Sequence, residues 1–418
     1  MRALRRKSRR GPARLALLAA LAACATAKPK AEPVQTMVFP PVTIHAGSPA
    51  DLALAQLNED ELLAKGKAAF ASADYELAAR SFDRGVDAFP EGHLHAEMAY
   101  DSGLAHLQLH QWSKALERFE PLANPAAGQG DALDAAMQAA TCRYFLEDYE
   151  GAAKILSVVA ARTDLPPEQR IGARVDLAVC EVEQGKLTEA EHDLRLSVQG
   201  WDRASDEERL PEEIAGKAEF FLGEIYRAYF SAVKLDPSSG DLDGLGKELE
   251  QKAEELLSAQ GHYLRAIRSG SGHWATAAGF RIGSLYEEMY DALVSAPLPP
   301  KLDAEQQAIY REELRKRVRV LVTKAINVYD ETLAAADRIG EDNPFVSQTK
   351  QSLARLKSLL LEPAAGGAPP APPHPAAPGG AAEGAPAPRA AKAQPVPLSG
   401  QAKASSAPLP GDPAGVSP

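Results

Sequence analysis

The sequence contains few of the residues that build disulfide-rich or β-sheet proteins. It has 3 cysteines in 418 residues, which is too few for the disulfide framework of a small secreted scaffold. Aromatic residues make up 6% of the chain while 45% of its residues are hydrophobic, so alanine and leucine supply most of the apolar content. These two residues favour helices over strands. The composition therefore predicts an all-α protein.

Positive charge is also scarce once the N-terminus is set aside. The chain has 46 Lys and Arg against 57 Asp and Glu, but residues 1–23 hold seven of the basic residues and no acidic one. The remainder carries 39 basic and 57 acidic residues, a formal charge of −18. Because such a surface repels phosphate backbones, we do not expect nucleic acid as a partner.

The familiar signatures of catalysis are absent from the sequence. It contains no Walker loop, no G-x-G-x-x-G, no H-E-x-x-H, no G-x-S-x-G and no C-x-x-C. His106 and His110 are spaced i,i+4, with His93 and His95 upstream, but no cysteine or paired carboxylate joins them at metal-ligand spacing. We therefore expect no enzyme, no cofactor and no metal.

The N-terminus carries a predicted export signal in residues 1–23. A cationic stretch precedes the apolar run Leu15–Ala23, which is far shorter than the roughly 18–20 residues that span a bilayer. The residues Leu21-Ala22-Ala23-Cys24 resemble the lipobox of bacterial lipoproteins. This resemblance implies that the mature chain begins at Cys24, whose thiol carries a diacylglycerol membrane anchor. An ordinary signal peptide followed by an incidental cysteine is the alternative.

The residue after Cys24 bears on the compartment. Ala25 stands where an aspartate would retain a lipoprotein in the inner membrane, so the resemblance implies the outer membrane, facing the periplasm, with surface exposure as an alternative.

Residues 24–58 hold five prolines and show no helical period, which predicts a flexible tether. Residues 362–418 are rich in Pro, Ala and Gly and lack aromatics, which predicts a disordered tail.

Between these ends the chain repeats itself. An aromatic residue, an alanine three positions on and a large apolar residue four further on recur at steps of 37 residues. The copies are Tyr75/Ala78/Phe82, Trp112/Ala115/Phe119 and Tyr149/Ala152/Leu156, with a weaker fourth at Leu187/Ala190/Leu194. Gly66 and Gly103 keep the same step upstream. The period indicates an array of helical hairpins.

This pattern resembles the tetratricopeptide repeat (TPR), in which a small residue lies where two antiparallel helices cross. Two later segments, Phe221–Tyr226 and Arg281–Tyr286, carry the first-helix pattern, and Tyr263 and Tyr329 match their distant second helices. Asn343 and Pro344 begin a predicted capping helix. The resemblance implies an all-α, TPR-like helical-hairpin solenoid over residues 59–361. It has about six repeats, of which the last two contain insertions and long helices.

In TPR proteins the first helices line a groove that holds a peptide or a partner helix, so the resemblance implies a protein partner here. The groove candidates that follow are Leu63, Phe70, Tyr100, Leu107, Met137, Val175, Tyr144, Val182, Phe220, Arg227 and Phe280. The alternative is that some of these residues pack into the chain's own core. Such a groove would suit a scaffold like the TPR lipoproteins of outer-membrane assembly or gliding-motility complexes. A solute-binding or enzymatic lipoprotein is the competing hypothesis.

Two further features of the solenoid lead to expectations. Cys142 and Cys180 occupy equivalent positions in adjacent repeats, about 8–10 Å apart, so buried free thiols are expected and a disulfide is the alternative. A basic cluster on one predicted helix is expected to be a solvated face, with lipid headgroups or an acidic partner as alternatives. Its members are Arg311, Arg315, Lys316, Arg317 and Arg319.

Overall fold

The computed structural model describes residues 49–128, 130–203, 210–237, 240–300 and 302–361. In this part of the chain fourteen α-helices follow one another and no β-strand forms. The predicted signal peptide, Cys24 and the predicted tail lie outside the described residues. None of the described helices combines the length and the apolar content that crossing a membrane requires.

Twelve of the helices form six consecutive hairpins, each made of a first and a second helix. The hairpins are Glu59–Ala71 (α2) with Tyr75–Ala88 (α3), His95–Gln108 (α4) with Trp112–Phe119 (α5), Asp131–Phe145 (α6) with Tyr149–Ala160 (α7), Pro167–Glu183 (α8) with Leu187–Arg203 (α9), Glu212–Ala232 (α10) with Leu242–Arg268 (α11), and Gly272–Ser295 (α12) with Ala304–Ile339 (α13). Pro344–Leu361 (α14) packs against α12 and α13 as a cap.

Each helix contacts the next one along the chain, and first helices also contact each other, as α8 does α10 and α10 does α12. The hairpins therefore stack in chain order. This arrangement is an all-α, TPR-like helical-hairpin solenoid of six repeats, and it confirms the fold class predicted from the 37-residue period. The last two repeats have the long second helices that the sequence indicated, 27 residues in α11 and 36 in α13.

The folded part begins earlier than the sequence pattern indicated. A short helix, Pro49–Leu54 (α1), precedes the first hairpin within the stretch predicted as a tether. Leu54 is 2% exposed and shares a hydrophobic cluster with Leu62 and Phe82. Because this apolar contact anchors α1, residues 49–58 belong to the folded part, and the predicted boundary at residue 59 is too late.

Small residues on the first helices make room for large ones on the second. An added Cβ at Gly66 would lie 2.3 Å from the Phe82 ring, and one at Gly103 would lie 2.6 Å from the Phe119 ring. Gly223 and Gly283 face Tyr263 and Tyr329 in the same way. The helices of these four hairpins can therefore approach closely only because the first helix has no side chain at the crossing point.

Helix starts and turns follow local chemistry. Asn58 and Glu61 form a capping box at the start of α2, with Asn58 Oδ1 accepting from Glu61 N–H and Glu61 Oε2 from Asn58 N–H, both at 2.9 Å. Asp74 caps α3, where its side chain accepts a hydrogen bond from Leu77 N–H at 3.1 Å. These caps satisfy backbone donors that the first turn of a helix leaves open.

Candidate partner-binding face

Three predicted groove residues are core residues instead. Phe220 is 4% exposed, between the rings of Phe221, Tyr263 and Trp274. Met137 is 9% exposed in a cluster shared by the third and fourth hairpins, and Val175 is buried in the large cluster of the last three hairpins. The prediction that these three side chains face a partner is wrong because each is buried in a hydrophobic cluster shared by neighbouring hairpins.

Most of the other apolar candidates are half-buried in contacts between hairpins. Leu63, Phe70 and Leu107 pack against the clusters of the first two hairpins. Phe280 stacks on Tyr329 of its own hairpin with ring centroids 6.1 Å apart, and it also packs against the large cluster that contains Phe220 of the fifth hairpin. Val182 lies against the large cluster of the last three hairpins. Their contact with a partner stays a prediction, but their present role is to join the repeats.

Tyr144 and Arg227 also have partners inside the chain. The hydroxyl of Tyr144 donates to Glu183 Oε1 at 3.2 Å, and its ring contacts Tyr149. Arg227 Nη1 donates to Glu288 Oε1 at 2.8 Å, and its Nε lies 3.6 Å from Glu224 Oε1. Arg227 therefore joins α10 to α12 rather than projecting into an open groove.

The buried carboxylate of Glu224 organises this part of the molecule. Its Oε1 lies 2.9 Å from Arg281 Nε and accepts a hydrogen bond from the Tyr263 hydroxyl at 2.5 Å. Burial alone would raise the pKa of Glu224, but Arg281 and Arg227 hold that pKa below its ordinary value. Glu224 therefore links α10 to α11 through Tyr263 and to α12 through Arg281.

A different set of side chains lies on the first helices of the second and third hairpins. We call it the acidic face, and its residues are Glu97 and Asp101 on α4 and Asp131, Asp134 and Gln138 on α6. The spacings i,i+4 on α4 and i,i+3,i+7 on α6 place each group on one side of its helix. Tyr100, the remaining groove candidate, is half-buried beside these acids and contacts Phe119 edge to face at 5.5 Å.

On the acidic face, burial and the repulsion between neighbouring carboxylates disfavour the ionised forms of the side chains. Burial raises the pKa of Asp101 to about 6, and although Lys67 opposes this, Glu97 and Asp131 add to it. Burial and the nearby Asp131 also raise the pKa of Asp134. Tyr100 has its pKa raised by burial and by Asp134, Asp131 and Asp101. The carboxylates of α4 and α6 therefore lie close enough to repel one another.

One member of the acidic face is nearly inaccessible and unsatisfied. Gln138 is 5% exposed, and its Oε1 atom has no hydrogen-bond partner among the described residues. Lys67 pairs with Glu97 at 2.5 Å and also acts on Asp101, whereas no ion pair among the described residues includes Asp131 or Asp134. None of the five residues of the acidic face was predicted from the sequence, although the i,i+3,i+7 spacing of acids and amide on α6 was a usable signal.

His93 and His106 pair with carboxylate or amide side chains, whereas the buried Nδ1 of His95 has no hydrogen-bond partner among the described residues. The ring of His106 is buried, with Nδ1 2.8 Å from Gln111 Oε1 and Nε2 3.0 Å from Asp83 Oδ2. His93 lies 3.0 Å from Glu59. In the described residues no group of three His, Cys, Asp or Glu side chains is placed to hold a metal ion.

Both cysteines of the solenoid are free and buried, as expected. Burial raises the pKa of the Cys142 thiol to about 12, and it raises the pKa of the Cys180 thiol as well. Since the thiolate is the reactive form, neither thiol is set up for nucleophilic chemistry.

The basic cluster lies in the first half of α13, with four members before Val318, the first buried residue of the helix, and Arg319 directly after it. Lys316 lies 3.2 Å from Glu313 Oε1, and Arg319 donates to the Leu360 carbonyl at 3.1 Å. Lys316 is thus paired within its own helix and Arg319 hydrogen-bonds a carbonyl in the last turn of α14, which agrees with the expected solvated face.

A cleft of about 560 Å³ opens where α10 and α12 end, between Phe230, Glu288 and Ala292. Its buried Lys252 donates to the carbonyls of Phe230 and Val233 at 2.7 and 3.0 Å, and so caps the C-terminus of α10. Lys252 thus has a structural role in this cleft.

Two solved structures are reported as similar to this chain, both at low sequence identity. A TPR repeats protein from Bacteroides fragilis covers 72% of this chain with 99% of its own, at 12% identity and a TM-score of 0.27. A tetratricopeptide repeat protein from Parabacteroides merdae covers 72% with 98% of its own, at 12% identity and a TM-score of 0.34. No family model and no curated protein matches the chain.

Proposed function

We propose that this protein is a lipid-anchored scaffold of the bacterial cell envelope that binds a partner protein along its first helices. The observation that carries the proposal is the stack of six hairpins, two of whose first helices carry the acidic face. A repeat array offers an extended surface rather than a closed pocket, which suits a protein segment better than a small substrate.

The anchoring part of the proposal rests on the sequence Leu21-Ala22-Ala23-Cys24. A diacylglycerol on Cys24 would hold the solenoid at the outer membrane, with residues 25–48 as the connection to the first helix. The partner would then be another envelope protein, of an assembly or motility type.

Replacing Cys24 with Ala tests the anchor. We expect the variant to lose incorporation of labelled palmitate and to leave the membrane fraction, whereas Cys180→Ala, which removes a buried thiol, keeps both. Labelling of the Cys24→Ala chain at the wild-type level would refute the lipoprotein assignment.

Crosslinking in the native envelope tests the scaffold. A photoreactive residue in place of Asp134 on α6 is expected to capture a specific protein, whereas the same residue at Glu117 on the second helix α5 captures none above background. Equal capture from both positions, or none from Asp134, would contradict binding along the first helices.

A further inference from the structure

The long second helix α11 carries an apolar patch on the side that faces solvent. Its other side packs into the solenoid through Leu256, Ala259 and Tyr263, which belong to the large hydrophobic cluster of the last three hairpins. On the solvent side, Leu257 is 64% exposed and Leu264 is 36% exposed. Leu257 is the most exposed large hydrophobic side chain of the described residues. A patch of this kind on a folded surface is typical of a contact with another molecule.

The patch belongs to a row of six residues that recur at alternating steps of four and three. We call this row the α11 seam, and its members are Glu250, Glu254, Leu257, Gly261, Leu264 and Arg268. All are exposed except the glycine, which is half-buried. Steps of four and three keep one side of a helix against a second helix that lies alongside it. The seam therefore has the spacing of a helix–helix contact, although no helix of the described chain covers it.

Charge is distributed unevenly along the seam. Glu250 and Glu254 lie one turn apart in its first half, where like charges repel, and no ion pair among the described residues includes either of them. Arg265 and Arg268 end the helix, and no acid follows Glu255 in it. The helix dipole accounts for the arginines in the last turn but not for Glu250 and Glu254, which lie beyond the first two turns.

Gly261 lies between the two leucines, in the interior of α11. Glycine destabilises a helix interior relative to alanine, so its presence there needs a reason. At Gly66 and Gly103 the reason is an aromatic ring that packs against the helix. At Gly261 an added Cβ would meet only the end of the Arg265 side chain, at 3.8 Å. The missing side chain therefore leaves a recess in the seam that is open to the solvent.

The seam is symmetric about its midpoint, which lies at the level of Ala259. When two seams are paired in opposite directions about this midpoint, Leu257 of one copy meets Gly261 of the other, because both lie two residues from it. The same register brings Glu250 of one copy to Arg268 of the other, since both lie nine residues from the midpoint. A parallel pair would instead place Glu250 against Glu250. Volume and charge thus fit one and the same antiparallel register.

We propose that two copies of this chain associate through their α11 seams, antiparallel, with Leu257 of each copy in the recess at Gly261 of the other. The glutamates that repel each other within one helix then lie beside the arginines of the second copy. The contact is isologous, because the same surface of both copies forms it. The proposal goes beyond the proposed function and does not depend on it, since α11 is a second helix and the partner protein is assigned to first helices.

Sedimentation equilibrium of the chain lacking residues 1–23 and carrying Cys24→Ala tests the proposal. We expect a reversible equilibrium between monomer and dimer. Leu257→Glu should raise the dissociation constant at least about tenfold, because it brings an unpaired charge to the apolar centre of the contact. The matched control is Val158→Glu, at a 41% exposed position of the second helix α7, which should change the dissociation constant by less than about twofold. Circular dichroism checks that both variants keep the helicity of the parent chain.

An exchange of charges tests the direction of the pair. Glu250→Arg and Arg268→Glu each bring like charges together in the antiparallel register, and each should raise the dissociation constant about tenfold. The double variant Glu250→Arg/Arg268→Glu restores opposite charges with their positions exchanged. Its dissociation constant should return to within about threefold of the parent value.

Three results would overturn the proposal. The first is a chain that stays monomeric at its highest soluble concentration. The second is equal weakening by Leu257→Glu and Val158→Glu, which would mean that added charge alone opposes association. The third is a double exchange as weak as either single one, which would exclude the antiparallel register. If a monomeric chain with a photoreactive residue at Leu257 captured a different protein in the envelope, the seam would belong to a partner helix, and the scaffold proposed above would stand.

Discussion

Left-handed backbone recurs at one position of four consecutive hairpin turns. Ala73, His110 and Glu147 have φ of 60°, 56° and 66°, and Gly185 has φ of 74° at the same place in the fourth hairpin. Each lies two residues before its second helix begins. The turn geometry therefore requires this conformation, and the three L side chains each cost roughly 1–2 kcal/mol there.

Ala73→Gly is expected to stabilise the solenoid by about 1 kcal/mol, since glycine adopts this backbone freely and only an exposed methyl group is lost. The matched control is Ala68→Gly in the interior of α2, which should destabilise by about 1 kcal/mol. Urea unfolding of both variants checks the prediction. Destabilisation by Ala73→Gly would mean that the turn does not impose the left-handed conformation.

The free energy of unfolding should also depend on whether Asp101 is ionised. Because burial raises the pKa of this carboxyl to about 6, it binds a proton in the folded chain where the unfolded chain leaves it ionised. Its contribution to stability therefore falls as the pH rises between about 4 and 6. Asp101→Asn, which stays neutral, is expected to raise Tm relative to the parent chain more at pH 7.5 than at pH 4.

Thermal unfolding at the two pH values measures this difference. Glu117→Gln, an exposed position on α5, serves as the control and should show the same small change at both. A Tm difference for Asp101→Asn that did not grow with pH would show that the carboxyl is well solvated.

Within a hairpin, a small residue on the first helix packs against a large residue on the second. Gly66 faces Phe82 and Gly103 faces Phe119, sixteen residues apart in each case. The third hairpin places Ala140 and Leu156 at the same spacing, and both are fully buried. A larger residue on the first helix is thus matched by a smaller one on the second.

This complementarity predicts the outcome of an exchange. Gly66→Ala should lower the free energy of unfolding, because its Cβ would lie 2.3 Å from Phe82 and overpacking outweighs the gain in helix propensity. The double variant Gly66→Ala/Phe82→Leu copies the third hairpin and should be more stable than the sum of the single effects. Urea unfolding of the four chains in a double-mutant cycle measures the coupling. Additive effects would contradict direct contact at this crossing.

The spacing that reveals these hairpins explains what could be predicted from the sequence. Gly66 and Phe82 lie close in the chain, so a period of 37 residues was sufficient to indicate stacked helices. The repeat period could not predict the burial of Phe220, because Trp274 and Phe345, which enclose its ring, lie 54 and 125 residues further along the chain. The acidic face was missed because Asp101 and Asp131 come from separate hairpins.

The whole solenoid depends on contacts that join one hairpin to the next. Lys217 on α10 donates to Asp176 Oδ1 on α8 at 2.6 Å, and Asp176 is fully buried. This ion pair links the fourth hairpin to the fifth. In a repeat array, stability is the sum of hairpin and interface contributions, so one weakened interface can divide the array into separately unfolding halves.

Lys217→Met is expected to destabilise this interface by about 3–5 kcal/mol, because the buried carboxylate of Asp176 loses its ammonium partner. In this variant, backbone amides of α8, α9 and α10 should exchange hydrogen faster than those of α2 and α3. Its urea unfolding curve should broaden or separate into two transitions. The double variant Asp176→Leu/Lys217→Met, which removes both charges, should recover most of the loss because an apolar pair avoids the desolvation cost. If Lys217→Met unfolded in one sharp transition with the same urea midpoint as the parent chain, the ion pair would be dispensable. The coupling between the two halves would then lie in the apolar contacts of Ile171 and Val175 with α10.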